Sequence, residues 1–359
     1  MMWIIRLLFF IVVVPYYGWA QKNLSVDIQA ARVICQQFMT EQNIPGMAVA
    51  ISMDHEMIWS EGFGQSNLEA MTPVDPYQTK FRIGSISKSL TSAALALLYE
   101  RGQLYLDTPI QFYLKDYPAD GGKTSITSRL LAGHLAGIRH YQGNEFLNTK
   151  PFGSVTLALD MFKNDTLLTA PGTAYNYSSY GYNLLSAVLE QAGKKDFLTF
   201  MQQNIFDVLG MQNTLPEFAD KIIPHRTGYY QRSMTGVFNA PFVDNSYKWA
   251  GGGFLSTAFD LLRFMHAMAE QKFIQPKTWQ LITTPQINKQ GQSTGYGMGW
   301  RTWKDKQDQV IIGHSGGSVG GTCNLIYYPV QKIAVVVLTN MSSVRINEIN
   351  EKLAALFLD

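Results

Sequence analysis

The chain has 359 residues, 46% hydrophobic and 16% charged, an ordinary globular composition with ample core material. Its net charge is +2 and it has no cluster of Lys and Arg, which argues against nucleic acid or an acidic surface as a partner. Length alone fits two or three structural units, or one large enzyme domain.

The first twenty residues stand apart. Arg6 precedes an apolar run from Leu7 to Val14, Pro15 follows, and Gly18-Trp19-Ala20 offers small residues at a cleavage site. This reads as a signal peptide over residues 1–20, with a secreted or periplasmic body starting at Gln21. An uncleaved N-terminal anchor is the alternative, and it would be the one route to membrane association. Two cysteines occur, Cys35 and Cys323. They read as buried small hydrophobes rather than a disulfide, and no Cys/His cluster has metal-ligand spacing.

Val26 to Met39 reads as a helix, broken by Asn43, Pro45 and Gly46. Met47–Ser52 and Met57–Phe63, separated by Asp54-His55-Glu56, read as a β-hairpin. Thr79–Ile83 reads as a short third strand, and Leu90–Tyr99 as an apolar helix closed by Gly102. Leu184, Leu185, Val188, Leu189 and Ala192 share one helical face that Gly193 stops. Gln212 to Trp249 has no clear period and reads as loop-rich. Thr257 and Asp260 look like a helix start, with Leu261, Phe264, Met265 and Met268 as its face. Strand-like runs return at Gly299–Trp303, Val310–Gly313, Thr322–Tyr328 and Ile333–Leu338. A closing helix carries Ile346, Ile349, Leu353 and Leu356. The fold class expected is α/β of the α+β kind: one mostly antiparallel sheet built from both termini and flanked by helices. Residues 21–84 and 290–359 form the sheet subdomain, and 85–289 an inserted, mainly helical one.

Ser85 and Lys88 form a Ser-x-x-Lys pair just before the apolar helix. Three residues apart, they share one helix face. There an amine can take the serine proton and make the hydroxyl an acylating nucleophile. The helix start also favours an oxyanion through the Ser85 N–H, and its dipole and burial lower a lysine pKa. The plainer reading is that Ser85 or Ser87 caps the helix while Lys88 reaches solvent. In Pro171-Gly172-Thr173-Ala174-Tyr175-Asn176-Tyr177-Ser178-Ser179, a tyrosine could shuttle a proton near that lysine, or simply pack on its own helix. Gly313-His314-Ser315-Gly316-Gly317 suits a strand edge approached by substrate, with a second oxyanion N–H at Gly317. The same run fits the Gly-x-Ser-x-Gly elbow, but that needs a following helix and a later histidine. No histidine follows His314, so Ser315 is not such a nucleophile.

In this order the three elements resemble the serine β-lactamase-like superfamily: class C β-lactamases, D-alanyl-D-alanine carboxypeptidases and related esterases. Leu130-Leu131-Ala132-Gly133-His134-Leu135-Ala136-Gly137-Ile138 and Ala250-Gly251-Gly252-Gly253-Phe254-Leu255-Ser256-Thr257 look like the same family. The segments around Gly84–Thr91 and Gly137–Tyr141 look closest to its mitochondrial branch and that branch's bacterial relatives. The resemblance covers nearly the whole chain after residue 20. It implies Ser85 as nucleophile, Lys88 as base, Tyr177 as the tyrosine of the second element and His314 at the lysine position of the third. Ser179, Ser315 and Gly316 would face substrate, and no metal or organic cofactor would be needed. Two departures matter. Ser179 stands where asparagine is usual, so an amide that orients substrate and lysine is missing. His314 replaces a fixed cation with a group mostly neutral at pH 7, which weakens recognition of a carboxylate.

The expectation is therefore an exported serine hydrolase acting on an ester or peptide, a small molecule or a peptide being the partner. A β-lactamase or carboxypeptidase is the first rival. A non-hydrolytic binding or assembly protein is the second, and retention of both Ser85 and Lys88 argues against it. His134 and His140 lack further ligands at motif spacing and read as structural, as do His266 in a helix and His55 in the hairpin turn.

Overall fold

Side chains along Ile333–Thr339 alternate between two faces of a sheet, and both faces are buried. Val335 and Val337 join one apolar cluster with Met47, Val49, Ile51, Ile349 and Leu353. Ala334, Val336 and Leu338 join another with Ala48, Ala50, Leu90 and Phe264. A strand covered on both faces must be apolar throughout, which is why this run has no polar alternation.

That strand is central in a computed structural model that describes residues 24–358. The apolar segment read as a signal lies outside the described residues. Numbering only the main sheet, the strands are β1 (Gly46–Met53), β2 (Glu56–Asn67), β3 (Thr72–Pro73), β4 (Arg301–Lys304), β5 (Val310–Ser318), β6 (Gly321–Tyr328) and β7 (Ile333–Thr339). Their order is β3-β2-β1-β7-β6-β5-β4, and every pairing is antiparallel. The first three strands and the last four thus meet at β1–β7, where Met47 lies opposite Thr339 and Met53 opposite Ile333.

Helices α1 (Leu24–Gln42) and α5 (Asn347–Ala355) cover one face. On the other lie α4 (Ala258–Ala269) and the helical centre, including α2 (Ser87–Glu100) and α3 (Ser179–Gly193). Thr257 caps α4 by accepting the Asp260 N–H, and Ser178 caps α3 by accepting the Gly181 N–H. Among the described residues no helix is long and apolar enough to cross a membrane. Cys35 and Cys323 are free, buried and in different apolar clusters.

One expectation is corrected. Thr79–Ile83 is not the third strand of the sheet. Only Phe81–Arg82 is extended, and it pairs with Phe254–Ser256 in a small separate sheet. Ile83 already has helical dihedrals and begins the turn that carries Ser85. The segment Gln212–Trp249 is loop-rich, as its lack of a period implies. It holds a hairpin of Tyr230–Ser233 with Gly236–Asn239, too short and too exposed for an apolar period to mark it.

Candidate active site

Ser85 lies in a 3-10 turn, Gly84–Ile86, that runs directly into α2. Two glycines let this turn lie against β5. Gly84 has φ +48°, and a Cβ there would stand 2.7 Å from the backbone N and O of Gly317. A Cβ on Gly316 would stand 2.0 Å from the carbonyl oxygen of Ile83. Just upstream, Arg82 is buried. Its Nε and Nη2 donate to the Glu217 carboxylate at 2.9–3.0 Å, and its Nη1 donates to the Val319 carbonyl at 2.6 Å. Asn245 and Tyr229 also donate to Glu217. The strand feeding the turn is therefore anchored to both sides of the site.

Lys88 is fully buried in the first turn of α2. Its Nζ lies 3.0 Å from Ser85 Oγ, 3.0 Å from Ser179 Oγ and 2.5 Å from the Gly251 carbonyl oxygen. The rings of Tyr177 and Tyr182 lie 4.9 and 5.5 Å away, centroid to nitrogen. Burial, and then the charge of Lys248, push the Lys88 amine well below its ordinary value.

The loop Tyr177–Ser179 is held by the segment 134–140. Ser178 N–H donates to His134 Nδ1 at 3.1 Å, and Ser179 N–H donates to His140 Nδ1 at 3.2 Å. The Ser178 hydroxyl donates to the Arg139 carbonyl at 2.6 Å. Both imidazoles are thereby neutral acceptors. Burial, and then the Lys88 charge, push His134 well below 6.5 and His140 down to about 4. Tyr177 packs against His134 at 4.3 Å between ring centroids. Burial pushes its phenol up, and its hydrogen bond with the Ser85 hydroxyl opposes that rise.

His314 on β5 is 2% exposed. Its Nδ1 donates to the Ser315 carbonyl at 2.6 Å, and its Nε2 accepts from the Tyr296 hydroxyl at 2.8 Å. Burial, and then the Lys88 charge, push it down to about 3. With both nitrogens engaged and no charge, His314 braces Tyr296 and has no free proton to hand on.

Ser315 does not join the group. It lies opposite Asn324, whose parity on β6 is that of Ile326 and Tyr328, on the face covered by α1 and α5. Its groove is shared with Asn347 and Glu351. Gly313–Gly317 is strand throughout, so no nucleophile elbow exists there. The structure thus brings together Ser85, Lys88, Tyr177, Ser179 and the Gly316–Gly317 edge, with His314 behind. A Cβ on Gly317 would meet nothing within 4 Å, on the face that it shares with Ser315.

Several neighbours carry no motif. Tyr296 and Tyr182 line the site from Gly-rich and helical contexts, and Gly251 contributes a carbonyl. Lys248 is 2% exposed, with Phe146, Tyr247 and Tyr141 rings at 4.3, 5.3 and 5.5 Å from its Nζ. Burial, and then Arg82, push it down to about 7.

Fold and site together place the chain in the serine β-lactamase fold, a family of serine hydrolases. The chain belongs to the Beta-lactamase family, whose pattern matches residues 32–357. It is 32% identical to the mitochondrial serine beta-lactamase-like protein of Bos taurus, over 94% of this chain and 80% of that one. It is 27% identical to the D-aminopeptidase of Gluconobacter oxydans, over 83% of this chain and 56% of that one. Among solved structures it is similar to the octameric penicillin-binding protein homologue from Pyrococcus abyssi. There the TM-score is 0.82 and the identity 26%, over 92% of this chain and 77% of that one.

Proposed function

We propose that the chain is an exported serine hydrolase that forms a covalent acyl-enzyme with an ester or peptide carbonyl. The observation that carries this reading is the buried Lys88 amine 3.0 Å from the Ser85 hydroxyl. A carbonyl can only accept, so an N–H of the neutral amine goes to Gly251. The lone pair is then available for the Ser85 proton. Ser85 Oγ attacks the carbonyl carbon as that proton passes to Lys88. The displaced electron pair resides on the carbonyl oxygen, held by the N–H groups of Ser85 and Gly317. Tyr177 carries the proton on to the departing alkoxide or amine, and the bond to the leaving group breaks. Water then attacks the Ser85 ester. It gives one proton to the Lys88–Tyr177 pair, and Ser85 takes that proton back as the acid leaves.

Neutral, doubly engaged His314 gives no fixed cation for a substrate carboxylate, which favours esters and peptides over β-lactams. The D-aminopeptidase relative supports a peptide carbonyl. Export rests on the composition of residues 1–20. The test is labelling with a serine-reactive fluorophosphonate followed by peptide mapping. An adduct on Ser85 is expected, and an inert Ser85 would overturn the reading.

A further inference from the structure

Ser179 replaces only part of what an asparagine would supply. Its hydroxyl meets Lys88 Nζ at 3.0 Å, so the lysine keeps a partner. An amide, however, brings two N–H donors on a longer side chain, whereas the Ser179 hydroxyl, accepting from the lysine, has a single O–H on a short one. His140 stands beside this position. Its Nδ1 accepts the Ser179 N–H, which puts the ring proton on Nε2. The Tyr141 ring lies against it at 4.2 Å, and Tyr177 meets it edge-on at 5.6 Å between centroids. Among the described residues no group accepts the Nε2–H, and the residue keeps access to solvent. His134 differs: it is 2% exposed and its Nε2 is sealed among the Tyr177, Tyr296 and Tyr182 rings.

We propose that the Nε2–H of His140 orients substrate by donating to the carbonyl oxygen of an amide on the acyl side of the scissile bond. The favoured acyl groups are then N-acylated amino acids and peptides rather than plain aliphatic chains. Being neutral at physiological pH, His140 donates without competing with Lys88 for a proton. The inference rests on the acyl-enzyme reading above.

The test compares two p-nitrophenyl esters, N-acetylalanyl and butyryl, which share a leaving group and differ in the amide. Wild type should show kcat/KM about tenfold or more higher for the N-acetylalanyl ester, the worth of one net hydrogen bond. His140→Asn keeps an acceptor for the Ser179 N–H but has no donor at the Nε2 place. His140→Gln restores an amide N–H there. The ratio of the two kcat/KM values should collapse toward unity in His140→Asn and recover in part in His140→Gln. Parity of the two esters in wild type, or an equal loss on both in His140→Asn, would overturn the proposal. Fluorophosphonate labelling of Ser85 has no amide to read, so its absence in wild type would instead refute the acyl-enzyme.

Discussion

Lys88 Nζ and Ser85 Oγ lie 3.0 Å apart, inside a shell where the lysine meets hydroxyls, a carbonyl and aromatic rings. A surface lysine is charged because water solvates it. Here that solvation is gone and no carboxylate replaces it, so the neutral amine is favoured. In the proposed reaction the pair serves as base and nucleophile.

Removing either partner should separate their roles. Ser85→Ala should give no fluorophosphonate adduct. Lys88→Met keeps volume but not basicity, and its labelling rate should fall about 10²–10⁴-fold, the usual worth of a positioned base. Wild-type labelling in Lys88→Met would assign the proton to another group.

The pH profile follows from the same pair. Lys88 must be neutral to accept a proton, so kcat/KM should fall as pH drops through its lowered pKa and hold above it. Lys248 adds positive charge nearby and helps keep Lys88 neutral. In Lys248→Met that help is lost, the Lys88 pKa rises, and the acid limb should move to higher pH. An acid limb that stays where it is in Lys248→Met would show that the two lysines are not coupled.

Much of this site was legible in the chain, for physical reasons that also explain the rest. Ser85 and Lys88 are neighbours on one turn, so spacing alone places them together. The sheet was legible because β7 is apolar from Ile333 to Leu338, β6 from Leu325 to Tyr328 is apolar or aromatic, and β1–β2 is a hairpin. Tyr296, Tyr182 and Lys248 were not, because long-range packing sets their position. Lys248 looks like any surface lysine until three rings and Gly252 enclose it. Ser315 misled because a motif read as a run of letters ignores that strand neighbours face opposite ways.

Buried neutral histidines make the fold sensitive to acid. His314 is held down to about 3, and His140 and His266 to about 4, against 6.5 in the unfolded chain. Between these values the unfolded chain binds more protons than the folded one, so stability falls as pH drops below 6.5. The melting temperature should decline from pH 6.5 toward 4, and the decline should be shallower in His314→Gln. A flat profile over that range would contradict the burial of these rings as neutral groups.

Two glycines at the same contact should respond oppositely to a methyl group. Gly84→Ala forces a Cβ to 2.7 Å from the Gly317 backbone at φ +48°, so stability should drop by about 1–3 kcal/mol and Ser85 labelling should slow. In Gly317→Ala the Cβ meets nothing within 4 Å, so the melting temperature should stay near wild type. Denaturant titration of both variants checks the contrast, and equal destabilisation would refute the packing.

The Arg82–Glu217 pair offers the sharpest test of how the nucleophile turn is anchored. The two side chains are 6% and 3% exposed and bonded through both carboxylate oxygens. Burial pushes the Glu217 carboxyl up, but the Arg82 charge and the bonds from Arg82, Asn245 and Tyr229 outweigh it and hold the group below its usual value. Glu217→Leu strands a buried guanidinium, which should cost about 3–5 kcal/mol. Arg82→Met strands the carboxylate and should cost a similar amount. The double variant strands neither and should be more stable than either single one, a non-additivity that urea titration of the four proteins measures. Arg82 also reaches the Val319 carbonyl two residues beyond Gly317, so it ties both N–H donors of the proposed oxyanion site to one frame. Ser85 labelling should therefore stay slow in the double variant even where stability recovers. Recovery of both together would mean that the pair serves folding alone.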